Sequence, residues 1–366
     1  MLNPLTEQLR AAQPLTGEQI AAAIPLLIDA HLPAEEKAAF LTALAQKGET
    51  TAEIGAFARE LRARSVLPPL DAATRAREIL DVCGTGGDRL NTFNISTTVA
   101  LIAAAAGVTV AKHGNRAVTS QSGSADVLEA LGLRIDLTPE QAARSLREHG
   151  FAFFFAPNYH PAFRHLAPAR KLCAERGQRT IFNFLGPLLN PARPSAQLVG
   201  VPRPALCEPM ARVLQTLGVR RAMVVSGEIE NSRVPAVDFP AAPEPETPRH
   251  LDELSTLGDN TIAEFYQESA LATSVMSSQN FSLQPATLAD FAGGDRAANA
   301  EIIRLLLRGE ERGPKRDAVL LNTAAALFVA GRVRSLLEGW DLADELIDSG
   351  TARAKLDELV AASIKI

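Results

Sequence analysis

Apolar positions recur at helical spacing from the start of the chain to about residue 66. Ile20, Ile24, Leu27 and Ile28 fall on one stripe, and Ile54, Phe57 and Leu61 on another, the pattern of helices that bury one face. Pro33 suits a first helical turn and Gly48 a stop after "AAFLTALAQK". "TTAE", Thr50 to Glu53, reads as a capping box. No alternating pattern interrupts this stretch, and Pro68 and Pro69 close it. A small all-helical unit is predicted over residues 1–72.

From Ile79 the pattern changes. "ILDVC", "VTVA", "FAFFFA", "AQLVGV" and "RAMVVSG" are short, wholly apolar runs, most separated by helical segments. Strands apolar on both faces, alternating with helices, predict a largely parallel central sheet flanked by helices, an α/β domain over residues 73–366. "TPEQAARSLREHG" shows a spacer helix, with Thr138 as N-cap, Pro139 in the first turn, Gln141 completing the box and Gly150 as stop. The run Val99 to Ala111 is broken by glycine and threonine and falls short of the roughly 20 residues a bilayer crossing needs. It reads as a buried helix and strand. Residues 228–249 carry five prolines and little periodicity, a surface insertion. Helix is expected again from Asp317.

Length and charge narrow the function. At 366 residues the chain exceeds what one compact core usually holds, in keeping with two domains. A net charge of -5 and a pI near 5.8 offer no general attraction for nucleic acid or anionic membrane, so a bound anion must be held by local chemistry. Cys83, Cys173 and Cys207 are odd in number and widely spaced, neither a disulfide framework nor a zinc site. With no signal-peptide profile in "MLNPLTEQLRAAQPL", a cytoplasmic location is expected.

That chemistry begins at "DVCGTGGDRLNTFNIST", Asp81 to Thr97. Glycines after a strand let backbone N–H groups approach phosphate oxygens, yet Asp88 follows them at once. There is no GxxxxGK[ST], and GxGxxG fails because Arg89 stands at the third glycine position. An ATPase P-loop and a dinucleotide fingerprint are both excluded. Asn91, Thr92, Asn94, Ser96 and Thr97 come directly before the apolar "TVALIAAAA". They are more hydrogen-bonding groups than capping requires, at a helix N-terminus suited to anions. Lys112, His113 and Arg116 cluster at the end of "VTVA", and a second helix starts after Gly123, a second anion-binding edge.

"GTGGD…TFNIST", "AKHGNRAVTSQSGSADVLEALG", "RTIFNFLGPLLNPA" and "LDEL", in that order, closely resemble the anthranilate phosphoribosyltransferases of tryptophan biosynthesis, over nearly the whole chain. The resemblance implies three ligands: 5-phosphoribosyl 1-diphosphate, Mg²⁺ and anthranilate. Sugar diphosphate contacts then fall on Gly84, Gly87, Asp88, Thr92, Asn94, Ile95, Ser96 and Thr97. They continue along Lys112, His113, Gly114, Asn115, Arg116, Ala117, Val118, Thr119 and Ser120, and at Ser124. The implied metal ligands are Ser96, Asp252 and Glu253. A dication between Asp88 and the phosphates explains a carboxylate in a phosphate cradle. For anthranilate the resemblance implies Gly84, His113, Asn115, Arg170 and Pro187. The interval from Arg170 to Arg179 looks longer than in similar enzymes, which leaves Arg176 and Arg179 as alternative readers of the carboxylate.

The reaction implied is displacement of diphosphate from ribose C1 by the arylamine. Lys112, Arg116 and Asp88 carry the catalytic roles, Lys112 and Arg116 with backbone amides on the departing diphosphate and Asp88 on a hydroxyl or the hydrated metal. The resemblance also implies that helices from about 160–185 join the helical unit, and that the chain forms a homodimer through that unit. The Pro-rich insertion and "HLDE", where similar enzymes have "GxDE", depart from the pattern. A pyrimidine nucleoside phosphorylase and a non-catalytic, nucleic-acid-binding relative are the alternatives. The acidic charge and the retained "DE" speak against the second.

Overall fold

The structure is a computed structural model that describes residues 1–117, 121–229, 249–266 and 270–365. Val118, Thr119 and Ser120, and residues 230–248 of the Pro-rich insertion, lie outside the described residues. The edges of that insertion are strand rather than loop: Glu228 and Ile229 pair with His250 and Arg249.

Helices Asn3–Arg10, Gly17–Leu27, Ala34–Lys47 and Thr51–Ala63 form the N-terminal unit. Ile20, Ile24 and Leu27 are fully buried, while Ile28 is the half-buried C-cap. Pro33 is the N-cap of its helix rather than a first-turn residue. Gly48 ends that helix at φ 85°, a conformation that favours glycine. The Thr50–Glu53 capping box is present and does more than cap. The buried Glu53 carboxylate accepts from Leu15 N and Thr50 N at 2.9 Å each and pairs with Lys47 Nζ at 2.7 Å. Removing a buried carboxylate leaves its cation and amides unpaired, so Glu53→Ala should cost about 3–5 kcal/mol in urea melts. A loss below about 1 kcal/mol, no more than an exposed pair is worth, would show the network to be dispensable.

The larger unit is built on one eight-stranded sheet. Its strands are β1 (Ile79–Gly84), β2 (Thr109–Gly114), β3 (Phe151–Phe155), β4 (Ala196–Gly200), β5 (Arg221–Ile229), β6 (Arg249–Leu251), β7 (Asn260–Tyr266) and β8 (Ala272–Met276). The order is β3-β2-β1-β4-β5-β7-β8, with β6 also on β5. The first five strands are parallel, and β6, β7 and β8 are antiparallel additions. Side chains alternate between faces. Leu80, Val82, Leu198, Met223 and Val225 join a core with helices Ile95–Ala105 and Pro314–Val329. Cys83, Val199, Ala222 and Val224 face a second core with the N-terminal helices. That core takes in Leu166, Ala169 and Cys173, at helix Ala167–Glu175. The C-terminal helices begin before Asp317, at Arg296–Leu307 and Pro314–Val329. No described helix is long and apolar enough to cross a membrane.

After β1 the chain winds outward through β2 and β3, then returns to place β4 on the other side of β1. The carboxyl ends of β1 and β4 thus flank the topological switch point, where open α/β sheets leave a crevice. The glycine loop leaves β1 there.

Candidate active site

The glycine loop is tied down on both sides. Thr85 N donates to Gly200 O at 2.9 Å, Phe93 N to Phe291 O at 3.0 Å, and Gly293 N to Asn91 O at 3.0 Å. Gly86 and Gly87 lie at φ 74° and 90°, where a side chain would be strained. Asp88 Oδ1 accepts from Leu90 N at 3.1 Å. The following helix starts earlier than the sequence indicated: Asn94 is its N-cap, and Ile95, Ser96 and Thr97 form its first turn. Asn94 does not cap with its side chain. It donates to Ser122 O and accepts from Asn299 Nδ2, binding the two edges together. Thr92 is anchored by a bridge to Ala292.

Lys112, His113 and Gly114 lie inside β2 rather than beyond it. Lys112 is buried, and its Nζ donates to Val82 O at 2.7 Å and Ser96 Oγ at 3.4 Å. Burial lowers its pKa, opposed by the charges of Asp81 and Glu253. Asp81, wholly buried, accepts from Asn190 Nδ2 at 2.8 Å and His113 N at 3.3 Å, so it fixes the backbone that carries both residues. A Cβ on Gly114 would stand 2.1 Å from Ser124 Oγ and 3.0 Å from the Phe153 ring, so a side chain there must push Ser124 Oγ aside. Asn115 O accepts from Ala125 N and Ser124 Oγ. Arg116 is turned to the helix Ser124–Ala130, pairing with Asp126 at 2.8 Å and Glu129 at 3.0 Å. Ala117 N bonds Asp126 as well.

Strand β6 leads straight into Asp252 and Glu253. The segment from Asp252 to Ser255 crosses the carboxyl ends of three strands, each of which offers a glycine. A Cβ would meet Asp252 Oδ2 at 2.1 Å from Gly84, Asp252 O at 1.5 Å from Gly200, and Ser255 N at 2.5 Å from Gly227. Asp252 Oδ2 accepts from Gly86 N at 2.6 Å. Its carboxyl is pushed well above the usual range by burial and by the charges of Asp88 and Glu253. Burial likewise pushes Glu253 up to about 7, against the pull of Lys112, and Asp88 adds to the rise. The nearby Ser96 N–H and hydroxyl pull the other way. Ser96, Asp88, Asp252 and Glu253 therefore converge. No three His, Cys, Asp or Glu side chains among the described residues form a ready-made metal cluster, and the donor set here is a carboxylate pair with a hydroxyl.

An aromatic wall runs from β2 into the helical side. His113 and His160 meet edge to face at 5.5 Å, His160 stacks on Phe163 at 5.0 Å, Phe163 meets Phe182 at 5.7 Å, and Arg170 Cζ lies 5.5 Å from the Phe182 ring centroid. His113 Nδ1 faces Gly186 O at 3.3 Å. A carbonyl only accepts, so Nδ1 carries the proton and the buried, unpartnered Nε2 offers a lone pair. Arg170 has no carboxylate partner among the described residues. Pro187 is buried beside this wall's carbonyls, with its own O accepting from Gln197. Arg176 is exposed, whereas Arg179 donates to Gly87 O at 2.9 Å. His160, Phe163 and Phe182 were not among the expected residues. Only "YHPAF" and "RTIFN" hinted at them, because their stacking spans distant segments.

Burial pushes His160 down to about 4 and His113 to about 3, the latter also repelled by His160. The unfolded chain takes up a proton near 6.5, where the folded rings do not. Acid therefore favours unfolding: His160 alone should cost on the order of 3 kcal/mol of stability between pH 6.5 and 4. Urea melts across that range should show His160→Gln flattening the decline, and an unchanged slope would contradict the assignment.

A glycine loop and an acid pair at a sheet switch point, with a helical unit packed on the same sheet, suit a transferase of sugar phosphates. Family models of this class match the chain: "Glycosyl transferase family, helical bundle domain" over residues 3–65, and "Glycosyl transferase family, a/b domain" over 76–236 and 247–353. The anthranilate phosphoribosyltransferase of Petrotoga mobilis is 42% identical over 360 residues, 98% of this chain and 96% of that protein. The crystal structure of the Thermus thermophilus enzyme superposes with a TM-score of 0.84 at 38% identity, covering 98% of this chain and 99% of that one. The Saccharomyces cerevisiae enzyme in complex with PRPP and Mg gives 0.80 at 26% identity, covering 96% and 93%. The chain belongs to the anthranilate phosphoribosyltransferase family.

Proposed function

We propose that the cleft between the helical unit (1–72 with helices from about 160–185) and the α/β unit (73–366) is where this chain transfers the 5-phosphoribosyl group of 5-phosphoribosyl 1-diphosphate to the amine of anthranilate. The products are N-(5-phosphoribosyl)anthranilate and diphosphate, a step of tryptophan biosynthesis. The observation that carries this reading is the convergence of the glycine loop, Lys112 and the Asp88–Asp252–Glu253 cluster at the sheet's switch point.

The acid cluster fits Mg²⁺. Mutual repulsion of buried carboxyls is relieved by a dication, and Mg²⁺ takes one or two carboxylates and keeps several waters. Asp252, Glu253 and Ser96 would hold it, with Asp88 on its hydration shell or a ribose hydroxyl. When bound, the ion neutralises part of the diphosphate charge.

The remaining work belongs to the chain. Thr85 N and Gly86 N are already taken by Gly200 O and Asp252, so Gly87 N and the helix start Asn94–Thr97 meet the anion, with Gly84 and Thr92 beside them. Lys112, already half-committed to Val82 O, supplies fixed positive charge beneath it. His113, Gly114, Asn115, Arg116 and Ala117, with Ser124, form the second edge, and the resemblance assigns Val118, Thr119 and Ser120 to the same ligand. Arg116 is held on Asp126 and Glu129 in this structure and would turn from them to reach the leaving group. Arg170 on its aromatic shelf reads the anthranilate carboxylate, with Pro187, Gly84 and Asn115 bounding the ring. The arylamine is neutral near pH 7 and needs no strong base. Its nitrogen lone pair forms the bond to C1 as the C1–O bond breaks, with that electron pair leaving on diphosphate, and the nitrogen then releases its extra proton to water or diphosphate. His113 Nε2 can accept a hydrogen bond from the amine and orient it.

A homodimer through the helical unit and a cytoplasmic location belong to the same reading. The direct test follows anthranilate fluorescence in the presence of the sugar diphosphate and Mg²⁺. Loss of signal only with both present is expected. Thymidine phosphorolysis without anthranilate turnover would overturn the reading in favour of a nucleoside phosphorylase.

A further inference from the structure

We propose that Arg89, Arg179 and Arg203 form an electrostatic collar at the mouth of the cleft that draws in the polyanionic sugar diphosphate. The proposal rests on the reading above and adds residues to it. The three come from separate segments and converge on the same end of the β1–β4 pair. Arg89 lies on the glycine loop, held at φ 62°. Arg179 reaches across from the helical side, its Nη2 donating to Gly87 O at 2.9 Å and its guanidinium 3.8–3.9 Å from where a Gly87 Cβ would stand. Arg203 follows β4, whose Gly200 is in register with Gly84 and accepts from Thr85 N.

None of the three has a carboxylate within ion-pair distance among the described residues, although Arg64, Arg116, Arg144, Arg212 and Arg316 are all paired. Glu49 feels the charge of Arg203 without pairing, and burial raises its carboxyl. The pKa of Arg179 is lowered by burial and then by the like charges of Arg89 and Arg203. The three guanidinium groups, exposed and without a carboxylate partner among the described residues, leave positive charge open to an arriving anion. On a chain of net charge -5 they are a local reversal of sign beside a low-dielectric cleft, which focuses the field on the entering ligand. Mobile salt should remove the effect.

The test is kcat/KM for the sugar diphosphate against ionic strength, in the parent and in Arg89→Gln/Arg203→Gln. Arg179 is left in place because it holds the loop. At low salt the variant should lose roughly tenfold in kcat/KM with kcat unchanged, and the curves should converge at ~1 M salt, where the Debye length is ~3 Å. KM for anthranilate, a monoanion, should move less, and Arg89→Lys/Arg203→Lys should restore the parental salt slope. Parallel or superposed curves would overturn the collar while leaving the transferase reading intact. A parent inactive at every ionic strength would remove the reading and the collar with it.

Discussion

Asp252→Asn/Glu253→Gln should lose about a hundredfold or more in kcat, together with its Mg²⁺ dependence, while unfolding at the same temperature as the parent or higher. Stability and activity part company because of what the two carboxyls do in the folded chain. Glu253 is buried and Asp252 half-buried; desolvation first, then the charge of Asp88 and, for Asp252, that of Glu253 push their pKa values up. Replacing a repelling pair by neutral isosteres removes that penalty. The Gly86 N–H bond still finds an oxygen acceptor. A merely structural role predicts the reverse, lower stability with turnover preserved. Thermal melts and a Mg²⁺ titration of initial rates on the same preparation separate the two.

Gly200→Ala should be nearly as damaging although it removes no functional group. Its Cβ would fall 1.5 Å from Asp252 O and 2.2 Å from Asp252 C. Backbone cannot swing aside as a side-chain tip does, so the acid segment must lift from the strand ends. Displacement of about 1 Å at a positioned group is worth about a hundredfold in rate, and overpacking costs about 1–3 kcal/mol in stability. Gly17→Ala is the control. That position has open space around it and no positive φ, so rate and stability should be unchanged. A Gly200→Ala enzyme with parental turnover would show that the acid segment tolerates displacement, contrary to the geometry.

Local rules were readable from the chain. The capping boxes at Thr50 and Thr138, the left-handed stop at Gly150 and the five apolar strands of the parallel sheet each depend on a few neighbouring residues. The glycine loop and the Lys112 edge stood out in the chain as well, because glycines, hydroxyls and cations gather there beside strand ends and ahead of helix starts, more of them than turns and caps require. The antiparallel strands were not. β7 mixes polar and apolar residues, and residues 272–275 of β8 are exposed, so neither shows the continuous apolar run of a buried strand. Asp252 and Glu253 could be picked out only by resemblance, since an adjacent acid pair usually lies in solvent. What distinguishes them is a bed of three glycines from three strands, which sequence order scatters over residues 84–227. The commitment of Arg116 to Asp126 and Glu129 and the chain of rings from His113 to Arg170 are likewise properties of packing.

The central claim is that two strand-to-helix edges grip a sugar diphosphate with the help of an acid-bound divalent ion. Calorimetric titration of 5-phosphoribosyl 1-diphosphate into the folded protein, with and without Mg²⁺, tests it most directly. Saturable uptake with Mg²⁺ that is weakened without it, and weakened again in Asp252→Asn/Glu253→Gln, is the predicted result. No uptake by the intact protein with Mg²⁺ present would contradict the account.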